Sequence, residues 1–457
     1  MKKVVLLCLA IMLAVSLASC SSEEAAMDTP PVEKKSDLAG TVRVALAGWQ
    51  LDNGIDPLTG AESVGLNEFL DKTFKQMYPN IKLEIYQVPW ENAKAKQSAM
   101  LLSKDVDILY TGGAYASQWY AAGLIRDIDD LIQGDPEFDP NLYISGVWNN
   151  SYSTKSPDKA HHFGIPAVLG RRITMYDKKL FEDWGVPPLP EQASAEQVLE
   201  SALKMTGNNP KTSEHNYGLY WAGNSINGST FVALTMAFGA KGAEGSLSDM
   251  KNIKWKLNSP EMVKVLEYLK KAAPLAPPGF VNAQGAENFG LAKNNIAIGL
   301  DMTGATTMSE FRVSGDKSLL DRYGTAMNVG PKGEGWAAVD PIIMAKEAKD
   351  VEVAWEVMKF LAGYEMQKHN YRYFSYMPSL KNPDFVLPED KFVRESLKVA
   401  EVSHSELMDE ANPFYLSDIS PAINGFVSQA AQGNAPDIQS FLDDLQSRAE
   451  NWSKNLK

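Results

Sequence analysis

The chain has 457 residues, 44% of them hydrophobic, with 57 acidic side chains against 44 basic ones and a formal charge of −13. Aromatic and aliphatic residues run throughout, which excludes an acidic disordered chain. The acidic surplus argues against a nucleic-acid partner, because phosphate binding needs a basic surface, and the length suits two domains or one large one.

Lys2 and Lys3 precede an apolar run from Val4 to Leu17, followed by Leu17-Ala18-Ser19-Cys20. A basic start, a short apolar run and small residues before a cut site read as a secretory signal over 1–19. The alternative, a transmembrane anchor, meets a run too short to span a bilayer comfortably. L-A-S-C resembles a bacterial lipobox, and that resemblance implies cleavage before Cys20 and acylation of its thiol. Cys8 leaves with the signal, so the mature chain keeps Cys20 alone and forms no internal disulfide. Losing Lys2 and Lys3 turns 44 basic residues into 42 and the formal charge into −15. Ser21 to Ala39 is polar and lacks an apolar period, so 20–39 reads as a lipid-anchored flexible tether. Fully extended, it reaches at most roughly 60 Å.

Thr41 to Leu46 alternates like a first strand, with Ala47-Gly48-Trp49-Gln50 just past its end. Leu66, Phe69, Leu70, Phe74 and Met77 recur at helical spacing, and Pro79-Asn80 ends that helix. Ile81, Leu83 and Ile85 alternate with polar residues as a strand, and Trp90 lies in the loop after it. Glu91 to Leu102 reads as a helix and Val106 to Leu109 as a short strand. Gly112-Gly113 breaks that strand, and a helix with Tyr115, Trp119 and Tyr120 follows. Strands joined through helices give a parallel sheet covered on both faces. Ligands of such sheets sit beyond the carboxyl ends of the strands, which places Thr111-Gly112-Gly113 and Tyr115 at a candidate binding edge.

The order YPNIKLEIYQVPW, DVDILYTGG and YAAGLIRDIDDLI resembles the first lobe of extracellular solute-binding proteins of ABC importers, the sugar-binding, maltodextrin-binding-protein-like group (family 1). H-F-G-I-P at 162–166 resembles the family's crossing to the second lobe, and M-Y-D-K-K-L-F after Thr174 resembles its L-Y-Y-N-K-D-L-F, with Asp177 for the usual Asn. Tyr217 to Tyr220 reads as a second-lobe strand with Trp221 beyond it, and Asn227-Gly228-Ser229 as a cap for a helix through Phe238. Gly239 to Gly245 reads as a glycine-rich loop lacking the Lys-Ser/Thr ending of a phosphate loop. N-S-P-E-M-V-K-V-L-E-Y-L-K-K from Asn258 is among the family's closest matches, and its Asn or Ser cap followed by proline is a good helix start. The strand Asn295 to Leu300 ends at Asp301-Met302-Thr303-Gly304, where Thr306 replaces the usual aromatic. Trp336 to Lys346 crosses back to the first lobe, with Ala338-Val339-Asp340-Pro341 in place of the usual glycine pair. Val351 to Leu361 forms an amphipathic helix. The resemblance covers nearly all of the mature chain and is weakest after about Asp384.

Enzymatic signatures are missing. The five histidines, His161, His162, His215, His369 and His404, are scattered, with no H-E-x-x-H, G-x-S-x-G or cysteine nucleophile. His161 and His162 on a strand point to opposite faces, so no shared metal follows. Asp127, Asp129 and Asp130 lack the glycine and terminal glutamate of a calcium loop, and helix capping accounts for them. A glycosidase needs two carboxylates a defined distance apart, and no motif anchors such a pair.

Aromatic and amide residues instead gather at predicted strand ends and crossings. Aromatic rings cover the apolar faces of sugars, and Asp, Asn, Gln and Arg bond the hydroxyls. The candidate ligand-binding residues are Trp49, Gln50, Trp90, Gly112, Tyr115, Arg171, Trp221, Asn227, Asp301, Trp336 and Asp340. Each tryptophan fits core packing as well as a ligand face. The expectation is an α/β, two-lobed periplasmic-binding-protein fold with a hinge and an interlobe ligand cleft. The N-terminal lobe is 40–164 plus 340–375, and the C-terminal lobe 165–339 plus 376–457, with crossings near 163–168, 337–343 and 372–378. The expected protein is not an enzyme and needs no cofactor or metal. It is a monomer, exported and anchored by lipid to the outer face of the cell membrane. It captures a carbohydrate, an oligosaccharide, and delivers it to an ABC permease. The same fold binding a peptide, polyamine or anion, and a surface glycan-degrading enzyme, remain alternatives; only Arg171-Arg172 offers a cluster for a polyanion.

Overall fold

A computed structural model describes residues 37–170, 173–221, 229–336, 338–403 and 407–456. The signal, Cys20 and the tether as far as residue 36, together with Arg171 and Asn227, lie outside the described residues. The strands in chain order are β1 Gly40–Ala47, β2 Gly54–Ile55, β3 Glu62–Ser63, β4 Ile81–Val88, β5 Ile108–Tyr110, β6 Gly164–Leu169, β7 Ile173–Asp177 and β8 Gly207–Asn208. There follow β9 His215–Tyr220, β10 Gly242–Glu244, β11 Lys254–Lys256, β12 Ile296–Met302, β13 Tyr323–Ala326, β14 Val339–Met344 and β15 Met377–Pro378.

Two mixed sheets organise two lobes. The first runs β15-β6-β14-β5-β1-β4 and the second β13-β7-β12-β9-β8. In the first, only β4-β1-β5 is parallel; β14 lies antiparallel to both β5 and β6, and β15 antiparallel to β6. The uniformly parallel sheet expected from the strand–helix alternation is therefore corrected. β14 arrives from the other lobe, so no crossover fixes it parallel, whereas β15 returns from β14 through two helices and, like β14, runs antiparallel to the β6 that lies between them. Strands β5 and β6 are buried along their whole length, as central strands covered on both faces must be.

Each sheet has its own core. Val42, Val44, Leu46, Phe74, Ile108 and Met358 belong to the first. Ile173, Met175, Leu219, Val265, Leu269 and Ile298 belong to the second. A small third cluster of Ile144, Val147, Leu169, Val339 and Met377 sits at the crossing strands and receives Leu397 and Ala400 from the helix Lys391–Val402. That helix also touches β7 and β13, so it is packed on both lobes at once.

Local chemistry explains most elements, with five corrections. The first-lobe helix begins at Leu66 and contains a π turn at Leu70–Phe74, a widening invisible to a 3.6-residue period. Residues 239–245 are not all loop, since β10 pairs with β11. Ser259 caps the helix Pro260–Ala272 through Met262 N as expected. Ser229, expected to help cap the next helix, instead gives its hydroxyl to Asp301 Oδ2. Asp129 caps nothing, because Ile128 holds the N-cap position. Its carboxylate takes His161 Nδ1 at 2.9 Å and His162 Nδ1 at 3.4 Å, so the two rings converge rather than diverge. His161 is outside any strand, which removes the alternation. Among the described residues no group of three or more His, Cys, Asp or Glu is placed to hold a metal, and no helix is long and apolar enough to cross a membrane.

Candidate functional site

A cavity opens where the crossing strand β14 meets both lobes. Gly112, Gly113, Tyr152 and Ser153 line it from the first-lobe side, Asp340 and Trp336 from the crossing, and Asp409 and Glu410 from the second-lobe side. Its volume is about 40 Å³. That is room for a few water molecules and not for a sugar ring, so entry of a solute requires the lobes to part.

The first-lobe wall follows from β5. The strand ends at Tyr110, and Gly112 occupies the N-cap position of the helix Gly113–Ala121. No larger residue fits at 113, where a Cβ would lie 2.3 Å from Ser153 Oγ and 2.5 Å from the Val339 carbonyl. Gly113 thus brings the backbone against β14. Tyr115 is half-buried, with Lys94 Nζ 5.8 Å from its ring centre. Burial, then the nearby Glu410 and Asp340, push its phenol above the ordinary range.

Asp340 connects the cavity to an aromatic row. Tyr110 donates to Asp340 Oδ2 at 3.1 Å, and burial followed by that carboxylate pushes the Tyr110 phenol well up. The Tyr110 ring lies 4.8 Å from Trp49 and 5.9 Å from Trp90. Trp49 is buried, whereas Trp90 is 40% exposed. Trp90 packs against Gly48, where a Cβ would meet its Nε1 at 2.0 Å and where φ is +70°. Gln50 faces away from the cavity; its amide donates to the Asp52 carbonyl at 2.7 Å and Ser63 Oγ at 3.0 Å, fastening the β2–β3 hairpin.

The second-lobe candidates separate. Trp221 is fully buried, edge-on to Phe280 at 5.0 Å, in the core rather than on the cavity wall. Asp301 is buried at the end of β12 with φ +59°, a conformation uncommon for a residue with a side chain. Trp336 is half-buried and lines the cavity together with Gly112 and Asp340. The sequence reading missed Tyr110, Tyr152, Ser153, Asp409 and Glu410. Tyr110 was open to discovery one residue further along its strand. Tyr152 has φ +82°, strain of the kind that gathers at functional sites, but a dihedral leaves no mark in a sequence. The 409–410 pair is held by local geometry: Asp409 Oδ1 accepts from Ala411 N at 2.9 Å, and the buried Asn412 bonds the Leu407 carbonyl at 2.8 Å and Phe414 N at 3.0 Å.

Two α/β lobes, three adjacent crossing strands and a cavity between the lobes define a binding protein of the periplasmic type. The family model for the bacterial extracellular solute-binding protein matches residues 59–368, and the chain belongs to that family. A putative binding protein of Brucella abortus is 23% identical over 334 residues, covering 71% of this chain and 75% of its own. Among solved structures, the sugar-binding protein MalE of Xanthomonas citri aligns with TM-score 0.69 and 15% identity over 91% of this chain and 97% of its own. An ABC substrate-binding protein of Listeria monocytogenes in complex with cycloalternan aligns with TM-score 0.65 and 17% identity over 91% and 99%. A solute-binding protein of Agrobacterium vitis with bound D-mannitol aligns with TM-score 0.66 and 18% identity over 91% and 98%.

Proposed function

We propose that this chain captures a carbohydrate, an oligosaccharide, between its lobes and delivers it to a membrane permease of an ABC importer. The observation that carries the reading is the cavity wall: Trp336 and Tyr152 supply ring surface, and Asp340, Asp409 and Glu410 supply acceptors for hydroxyls. Rings against apolar sugar faces and carboxylates against hydroxyls are what a saccharide needs. Gly112, Tyr115, Trp336 and Asp340 are the proposed contacts from the original set, joined by Tyr152, Asp409 and Glu410. Arg171, Asn227, Asp301, Trp221 and Gln50 stay proposed from sequence, and Trp49 and Trp90 lie beside Tyr110 behind the cavity.

The lobes close on the solute without covalent chemistry, and 40–164 with 340–375 and 165–339 with 376–457 are their proposed extents. Export under the 1–19 signal, acylation of Cys20 and a monomeric state complete the reading. Cycloalternan and D-mannitol, the ligands of two structural relatives, motivate a carbohydrate panel. The test is tryptophan fluorescence of the form starting at Ser21, titrated with oligosaccharides and polyols, with each mixture checked for hydrolysis. A saturable shift with the glycan recovered intact supports the reading. Hydrolysis overturns it in favour of an enzyme, and silence across the panel overturns the carbohydrate assignment.

A further inference from the structure

Beyond the cavity and the helix Lys391–Val402, the helix Ala305–Ser314 contributes two groups of contacts that join the lobes. The helix Ala305–Ser314 follows β12 and is fixed to the second lobe: Met308 is buried in that core, and Thr307 Oγ1 donates to the Gly290 carbonyl at 2.9 Å. Ser309 and Arg312 are three residues apart, so they share one helix face. Ser309 Oγ lies 2.8 Å from Thr59 Oγ1. Thr59 sits on the first-lobe hairpin, in a turn held by Asp56 Oδ1, which accepts from Leu58 N at 2.8 Å and Thr59 N at 3.2 Å. Arg312 donates to Ser375 Oγ at 2.8 Å and to the Tyr371 carbonyl at 3.2 Å, with its guanidinium 5.1 Å from the Tyr371 ring centre.

Tyr371 lies in the last turn of the helix Tyr364–Phe374, and Ser375 is its C-cap. That helix packs on the first lobe through Val351–Ala362, β3 and β15. A guanidinium at a helix C-terminus meets the negative end of the helix dipole and carbonyls with no intrahelical partner. Charge-assisted bonds of this kind are stronger than a hydroxyl pair. Thr59, Ser309 and Arg312 do not line the cavity, yet a cavity of about 40 Å³ admits a sugar only if the lobes part. Parting moves the second-lobe helix away from Thr59, Tyr371 and Ser375.

We propose that the helix Ala305–Ser314 clasps the first lobe, and that Arg312 with Ser309 and Thr59 are positioning residues that set how long a solute is held without touching it. This rests on the capture reading. Each clasp bond adds to the closed state alone, and solute affinity scales with the population of the state competent to hold it. Loss of Arg312 therefore acts on release more than on capture.

The test has two readouts on purified Arg312→Ala and, independently, Thr59→Val. Small-angle scattering of the unliganded proteins needs no solute, so it stands if the carbohydrate assignment fails. Each variant is expected to have a larger radius of gyration than the parent, whose compact value is ~22 Å for a chain of this length. Stopped-flow release of a glycan found by the fluorescence panel is expected to accelerate about tenfold for Arg312→Ala and a few-fold for Thr59→Val, with little change in association rate. Unchanged scattering for both variants overturns the clasp. So does a lowered melting temperature with scattering and release unchanged, because that is the signature of a merely structural role. Thr59→Val, a near-isosteric change in the hairpin turn, keeps the test alive if Arg312→Ala fails to fold.

Discussion

Asp177 has no exposed side-chain surface, and the fold surrounds it with donors. Arg322 Nη2 lies 2.6 Å from Oδ2, Asn294 Nδ2 2.9 Å from the same oxygen, and Lys179 N 3.0 Å from Oδ1. One carboxylate thus caps the helix Lys178–Trp184 and joins β7 to the segment before β13. Arg322→Met removes the charge partner and leaves the carboxylate buried, so unfolding in urea is expected to show a loss of roughly 3–5 kcal/mol. His369 makes a second prediction. It is buried and stacked on Phe69 at 4.1 Å, and burial lowers its pKa to about 4. Between 6.5 and about 4 the unfolded chain binds a proton that the folded chain refuses. Stability is therefore full above 6.5 and is lost as pH falls through that window, by roughly 2 kcal/mol at pH 5. Urea midpoints at pH 7 and pH 5 check this, and His369→Phe should flatten the difference relative to the parent.

At the scale of elements, the helix Gly113–Ala121 carries the first-lobe wall of the cavity, and its start depends on a missing side chain. A methyl at 113 meets the Val339 carbonyl, a backbone atom that cannot rotate away. Gly113→Ala is expected to cost about 1–3 kcal/mol and to weaken solute binding, since the displaced neighbour is the strand that carries Asp340. Equilibrium unfolding and fluorescence titration read the two effects separately. Elements with strong periodicity were legible before the structure. The helix Pro260–Ala272 and the helix Val351–Ala362 bury their periodic apolar residues, and that periodicity is a local record of burial, while the alternation in β1 and β4 marked them as strands. Other features left no such record. The π turn at Leu70–Phe74 keeps the same apolar face, and β10 is three residues long.

At the scale of the molecule, two cores are joined by three short strands and by the helix Lys391–Val402 packed on both lobes. A solute held between them binds only the native chain. At a concentration one hundred times the dissociation constant it is expected to add about 2.7 kcal/mol of stability, read as a rise in the melting temperature in differential scanning calorimetry. A non-binding glycan from the same panel should leave the midpoint unchanged. The candidate site was only partly legible because it is assembled from distant segments. Gly112, Trp336 and Asp340 were found at strand ends and do share the cavity. Trp221 occupies a similar strand-end position and is buried against Phe280. Asp409 and Glu410 lie in the stretch where the family resemblance is weakest, and no local pattern marks them.

The amino-acid sequence by itself determined the long strands, the amphipathic helices, the Ser259 cap and the family, because side-chain periodicity and capping depend on neighbours within a few residues. The tertiary structure alone decided which strand-end residues face a cavity, that three crossing strands lie side by side in one sheet, and that Arg312 closes on the end of a helix from the other lobe. Those are relations between residues tens to hundreds of positions apart, and they exist only once both cores have packed.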